Sequence, residues 1–446
     1  MLEQGVTHCL AALAAGDTTS VRLLTAALDR IADPEGEGAR VFRDVFADTA
    51  MAEAQASDRR RAAGEPLGRL DGVPVSVKDL FDIAGRVTMA GSVALASDPA
   101  AQADAEVVAR LRAEGAVIVG RTNMTELAFS GLGLNPHHGT PANPWDRAAR
   151  RIPGGSSSGA AVSVTDGMAA AGIGSDTGGS VRIPAALCGL TGFKPTQNTV
   201  SRKGVYPLSL TLDSIGPIAP TLADCVLLHG VLSGAEILPA TYTAPPRVLV
   251  PTNFVTDGID DTVAEAFGAA LDRLEAAGVT LDRKRVAAFD RLPEMGKIGA
   301  YPGIEAFAAE KQRLAADPDG FDPRVAGRIL AAGQLPEDAK DRLDGVRATY
   351  VSELQSELQG YDGLLMPTVP TIAPRIDDLA DDAAYGAANL LMLRNPTAIN
   401  LLGGCASSLP LLGARGAPVG LSVAGIAGAD AQVLGLSMHL ADILSY

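Results

Sequence analysis

Twice in this chain a helix, a glycine and a short apolar strand follow one another, and that grammar selects an α/β protein. Residues 104–114 read as a helix with Val107, Val108 and Leu111 on its buried side. Gly115 follows as a cap, and residues 116–119 read as a buried strand. The order recurs later. Residues 247–250 read as a strand, 261–277 as a helix, Gly278 as its cap and 279–281 as another strand. Nearer the N-terminus, residues 19–32 form an amphipathic pattern with Val21, Leu24, Leu28 and Ile31 on one face and Thr19 or Ser20 as cap. A polar helical stretch follows and ends near Gly64, so residues 1–65 are expected to be helical. Residues 73–77 are short, apolar and β-branched, and read as a strand.

Residues 131–216 are dense in Gly, Ser, Thr and Pro and carry few charges. That composition usually marks a linker. A linker would not hold apolar pieces such as 168–174, so the segment reads as core whose backbone approaches a ligand closely. The acidic run around Asp377, Asp378, Asp381 and Asp382 is expected to be a solvated loop.

Composition excludes several functions. The formal net charge is -15, which disfavours phosphate backbones and anionic membrane surfaces as partners. No run of about 18 apolar residues exists, and the N-terminus has no basic region ahead of an apolar one. Cys9, Cys188, Cys225 and Cys405 are too scattered for a metal or redox motif and suit reduced, buried thiols, which fits a cytoplasmic protein. The five histidines show no metal-ligand spacing, and His137 and His138 sit in a Pro/Gly-flanked loop. No metal or cofactor is therefore expected.

Two glycine-serine segments carry the chemistry. The first is Pro153-Gly154-Gly155-Ser156-Ser157-Ser158-Gly159. The second is Ser175-Asp176-Thr177-Gly178-Gly179-Ser180-Val181-Arg182. A phosphate-binding loop would need Lys-Ser/Thr after the second glycine, where Ala160-Ala161 stand, and G-x-G-x-x-G is absent. The amides of Thr177, Gly178, Gly179 and Ser180 can instead form a concavity for an oxyanion, with a hydroxyl at its end as nucleophile. Such a hydroxyl needs a base. Lys78, which closes the apolar run 73–77, is the candidate, because burial disfavours its ammonium form. On residues alone a second reading stays open, in which Lys78 forms an ion pair with Asp79 or Asp82.

Taken together, these segments resemble the amidase-signature family. The resemblance rests on Gly72-Val73-Pro74-Val75-Ser76-Val77-Lys78-Asp79, Gly120-Arg121-Thr122-Asn123-Met124-Thr125-Glu126 and Asn143-Pro144-Trp145. It rests also on the two glycine-serine segments and on Cys188-Gly189-Leu190-Thr191-Gly192-Phe193-Lys194-Pro195-Thr196. The match is specific over residues 70–220 and looser outside them. It implies one α/β/α domain over residues 1–446, built on a large mixed sheet with helices on both faces. It also implies a small-molecule amide substrate and a Ser–cis-Ser–Lys triad, with Lys78 as base, Ser156 as the bridging serine after a cis peptide bond, and Ser180 as nucleophile. Phe129 and Gly131 fall where the family lines its acyl pocket, and Asp176, Arg182 and Ser157 are expected to support the loops. The sequence departs from the family pattern at Ser158 and Ala160, and at Gln197-Asn198-Thr199-Val200-Ser201. Three activities compete: a stand-alone amidase, the glutaminase subunit of a tRNA-dependent amidotransferase, and a non-catalytic scaffold. Retention of all three triad residues argues against the last. The segments 122–130 and 197–201 look less like the amidotransferase pattern. A homodimer is the default expectation for assembly.

Overall fold

The computed structural model describes residues 1–444. Its centre is one sheet of 11 strands. In chain order these are β1 (Phe42–Val45), β2 (Pro74–Lys78), β3 (Val117–Thr122), β4 (Ala171–Asp176), β5 (Thr191–Lys194), β6 (Ser214–Ala219), β7 (Arg247–Pro251), β8 (Thr280–Lys284), β9 (Gly363–Pro367), β10 (Cys405–Leu412) and β11 (Pro418–Gly425). They lie side by side as β1-β3-β2-β4-β6-β5-β10-β11-β9-β7-β8. The pairs β2/β3, β2/β4, β7/β8 and β7/β9 are parallel and the others antiparallel, so the sheet is mixed.

Helices cover both faces, and the strands show why. In β3, Val117 and Val119 join an apolar cluster with Leu24, Ala50 and Ala54, whereas Ile118 joins one with Val107, Val108 and Leu111. Successive side chains of a strand point to opposite faces, so an apolar run such as 117–119 demands cover on both. The cover on one side comes from the helices Ser20–Ala32, Ala47–Ala62 and Ser158–Thr165. On the other it comes from Glu106–Ala113 and Leu222–Ser233.

Most of the expected elements are present at nearly the expected bounds. Thr19 caps the helix Ser20–Ala32 by accepting the Arg22 N–H at 3.1 Å. Two expectations change in part. The segment 1–65 is not wholly helical, because β1 joins the sheet edge beside β3. The acidic run is solvated as expected, with Asp377, Asp378, Asp381 and Asp382 all exposed, but its C-terminal part also starts a helix. Asp381 accepts the N–H groups of Ala383 and Ala384, each at 3.0 Å, and thereby starts the helix Asp382–Leu402. Asp382 pairs with Arg324 at 2.8 Å. Carboxylates at a helix start satisfy its orphan amides and favour its dipole, so an acidic run is as good a helix signal as a loop signal.

This topology places chemistry at one edge. β2, β3 and β4 run parallel, with Lys78 opposite Thr122 in register. Their C-terminal ends therefore lie together, and those ends are Lys78, Thr122 and Asp176. The carboxyl ends of parallel strands are where open α/β sheets bind ligands.

Candidate active site

Lys78 is fully buried at the end of β2. Its Nζ donates to Ser156 Oγ at 2.7 Å and to Ser175 Oγ at 2.9 Å. Both carboxylates offered by the ion-pair reading are engaged elsewhere: Asp79 lies 3.4 Å from Arg121, and Asp82 accepts the Thr88 hydroxyl at 2.5 Å. Burial pulls the pKa of Lys78 down from 10.5 to about 7, against the opposing pull of the Asp213 and Asp176 charges. A lysine in that range is neutral often enough at physiological pH to accept a proton.

Ser156 follows a cis peptide bond from Gly155. The loop that carries it is packed tightly. A Cβ on Gly155 would lie 2.5 Å from the Gly133 nitrogen, so no other residue fits there without moving backbone. Its neighbour Ser157 ties this loop to the next: its N–H donates to the Ser180 carbonyl at 3.4 Å and its hydroxyl to the Ser175 carbonyl at 3.4 Å. Of the two departures in this loop, Ser158 opens the helix Ser158–Thr165, and Ala160 packs against Gly172, where a Cβ would approach to 3.0 Å.

The second segment turns sharply after β4. Asp176 is wholly buried and organises the turn. Its carboxylate accepts the Gly179 N–H at 2.8 Å, Arg182 Nε at 3.0 Å, Arg182 Nη2 at 2.9 Å and Asn400 Nδ2 at 2.8 Å. Burial alone would raise its pKa, but the Arg182 charge and hydrogen bonds, with Lys194 and Asn400, hold it well below the usual carboxylate range. Gly179 has φ +121°, and a Cβ there would meet Pro396 at 2.6 Å, so the turn requires glycine. Thr177, at the start of the turn, donates its hydroxyl to Asp213 Oδ1 at 2.5 Å. Asp213 also accepts the N–H groups of Leu208 and Ser209, each at 3.0 Å.

Ser180, Thr177 and Gly178 open onto a cavity of about 590 Å³. Phe129 is part of its wall. Gly131 is not. It sits one layer behind the wall, with its N–H on Asn389 Oδ1 at 2.9 Å and its carbonyl accepting from Gly155 N–H at 2.8 Å. Most of the remaining wall comes from residues to which sequence assigned no contact, among them Leu292, Met295, Tyr301, Leu335 and Leu393. The His137 ring lies away from the cavity wall and meets Glu126 Oε1 at 3.0 Å. Among the described residues no group of three His, Cys, Asp or Glu is placed to hold a metal ion, and no helix is long and apolar enough to cross a membrane.

The family model described as Amidase matches residues 22–434. The chain belongs to the amidase family. A curated relative, the 2-amino-5-chloromuconic acid deaminase of Comamonas testosteroni, is 37% identical over 88% of this chain and 86% of its own length. A solved structure described as an amidase shares 32% identity and superposes with a TM-score of 0.89, covering 99% of this chain and 100% of the other. The solved glutamyl-tRNA(Gln) amidotransferase subunit of Thermotoga maritima shares 28% identity with a TM-score of 0.74, covering 93% and 90%. Membership in the amidase family makes the chain a hydrolase acting on amides, on an α/β/α fold common to stand-alone amidases and amidotransferase subunits.

Proposed function

We propose that this protein is a stand-alone amidase that hydrolyses a small carboxylic amide through an acyl-enzyme on Ser180. One observation carries the reading: a fully buried lysine with its pKa near 7 donates to Ser156 at 2.7 Å, in a loop tied to the backbone of Ser180 at the cavity wall. Neutral Lys78 takes the proton of Ser156 as Ser156 takes that of Ser180, and Ser180 Oγ attacks the amide carbonyl. The C–N bond cannot break until its nitrogen is protonated, and the relay returns the proton to the leaving nitrogen. Water then attacks the ester by the reverse route, releasing the acid and restoring Ser180.

Charge develops on the carbonyl oxygen during each attack. The turn Thr177-Gly178-Gly179-Ser180 supplies main-chain donors for it. Gly179 N–H is already given to Asp176, so Gly178 and Ser180 are the donors assigned to the oxyanion, with Thr177 shaping the turn. A donor of this kind contributes about 3 kcal/mol to the transition state.

The similarity to the glutamyl-tRNA(Gln) amidotransferase subunit favours a second reading, a glutaminase that requires partners. The closer superposition on the solved amidase favours the first. Ammonia or amine release from a panel of simple amides and glutamine, measured for wild type and Ser180→Ala, separates them. Turnover of panel amides that vanishes in Ser180→Ala is the expected result. Activity confined to glutamine and raised by partner subunits would support the second reading instead. Equal activity in the two proteins would remove Ser180 as nucleophile.

A further inference from the structure

The cavity at Ser180 has a charge pattern opposite to that of the chain around it. The protein carries a net charge of -15, yet this cavity is lined by two arginines, Arg328 and Arg394, and by no aspartate or glutamate. The two arginines differ. Arg394 commits its donors to the fold: Nη1 to the Asp257 carbonyl at 2.6 Å, Nη2 to the Val255 carbonyl at 3.3 Å and Nε to Asn395 Oδ1 at 3.0 Å. Arg328 gives Nη2 to the Phe129 carbonyl, while its Nε is buried without an acceptor. Its guanidinium lies over the Phe129 ring at 4.8 Å and near the Tyr385 ring at 5.7 Å, so aromatic faces fix the plane of the fork.

Asn389 stands on the same wall. Its Oδ1 is taken by the Ser130 hydroxyl and the Gly131 N–H, both at 2.9 Å, so what it offers a ligand is the Nδ2 donor. Arg328 and Asn389 also line a neighbouring cavity of about 860 Å³, whose wall includes Asp322 and an Arg324–Asp382 pair at 2.8 Å, and this places them at the junction of the two spaces. A half-buried guanidinium with donors to spare, in a wall that is otherwise mainly apolar, matches a planar anion.

Building on the amidase reading, we infer that the substrate carries a carboxylate, held by Arg328 and Asn389 at this junction while Ser180 attacks its amide. The class that fits is the monoamide of a dicarboxylic acid, with its hydrocarbon chain along Leu292, Met295 and Leu393.

Matched pairs of amides test this. Adipic acid monoamide and hexanamide differ only in a terminal carboxylate against a methyl group, and glutaric acid monoamide and pentanamide form a second pair. The readout is the ratio of kcat/KM within each pair, for wild type, Arg328→Met and Arg328→Lys. Wild type is expected to favour the charged member by about 10- to 100-fold, as a charge-assisted hydrogen bond provides. Arg328→Met is expected to bring the ratio close to one, and Arg328→Lys to keep part of it. A wild-type ratio near one overturns the inference whether or not either variant folds. So does a ratio that Arg328→Met leaves unchanged. In both cases Ser180-dependent hydrolysis of the neutral amides would leave the amidase reading standing. Hydrolysis that persists in Ser180→Ala would instead remove that reading, and the carboxylate subsite with it.

Discussion

Asp176 and Gly179 are joined by a 2.8 Å hydrogen bond from the main-chain N–H of the glycine to Oδ1 of the carboxylate, inside the turn that presents Ser180. The same carboxylate holds Arg182, and both side chains are fully buried. Removing one member of such a pair strands the other charge out of water. Asp176→Asn is therefore expected to cost about 3–5 kcal/mol of folding stability. Denaturant unfolding of the variant checks this. A loss below about 1 kcal/mol would mean that the turn does not depend on the pair.

The Lys78 pKa gives activity a defined pH dependence. As the proposed base Lys78 must be neutral to act, and burial brings its pKa to about 7. The acid limb of kcat/KM is expected to rise with pH and level off above an apparent pKa near 7. A limb near 10, the ordinary range of an exposed lysine, would remove Lys78 as the base.

The same group links pH to stability. Folding lowers the Lys78 pKa from 10.5 to about 7, so between those values the unfolded chain binds a proton that the folded chain does not. Stability rises with pH in such a window. Wild type is expected to gain stability relative to Lys78→Met as pH increases from about 7 toward 10, while Lys78→Met has no turnover. Melting temperatures of the two proteins across that range provide the measurement. Parallel curves would place Lys78 in a solvated setting.

Asp213 bears on both the turn proposed to hold the oxyanion and Lys78, the proposed base. It holds the Thr177 hydroxyl, and its charge opposes the drop in Lys78 pKa that burial imposes. Asp213→Asn is expected to shift the acid limb of kcat/KM to lower pH, because Lys78 then loses its proton more easily. Thr177→Val, which removes the hydroxyl and keeps the carboxylate, is expected to lower kcat with a much smaller shift of the limb. Identical pH profiles for wild type and Asp213→Asn would confine Asp213 to a structural role.

Local chemistry makes much of this molecule legible in its sequence. Lys78 ends an apolar run, and that run lies in a strand buried along its whole length. The motif around Ser180 is readable because its glycine positions are dictated by backbone conformation, as at Gly179. What stays hidden depends on distance along the chain. Asn400 reaches Asp176 across 224 residues, and nothing in a helix such as Asp382–Leu402 marks the one asparagine that meets a carboxylate. Gly131 shows the opposite error. It lies in the correct loop, but packing turns its peptide groups toward Asn389 and Gly155, not into the cavity. At Asp381 the composition reveals the exposure but not the helix start, because a helix cap and a solvated loop share one composition.

The most direct test of the central claim is mass spectrometry of the acid-quenched reaction with a turned-over amide, followed by peptide mapping. An adduct of the acyl group's mass on the peptide bearing Ser180, absent from Ser180→Ala, is the expected result. An adduct carried elsewhere, or one that persists in Ser180→Ala, would contradict the assignment of Ser180 as the nucleophile.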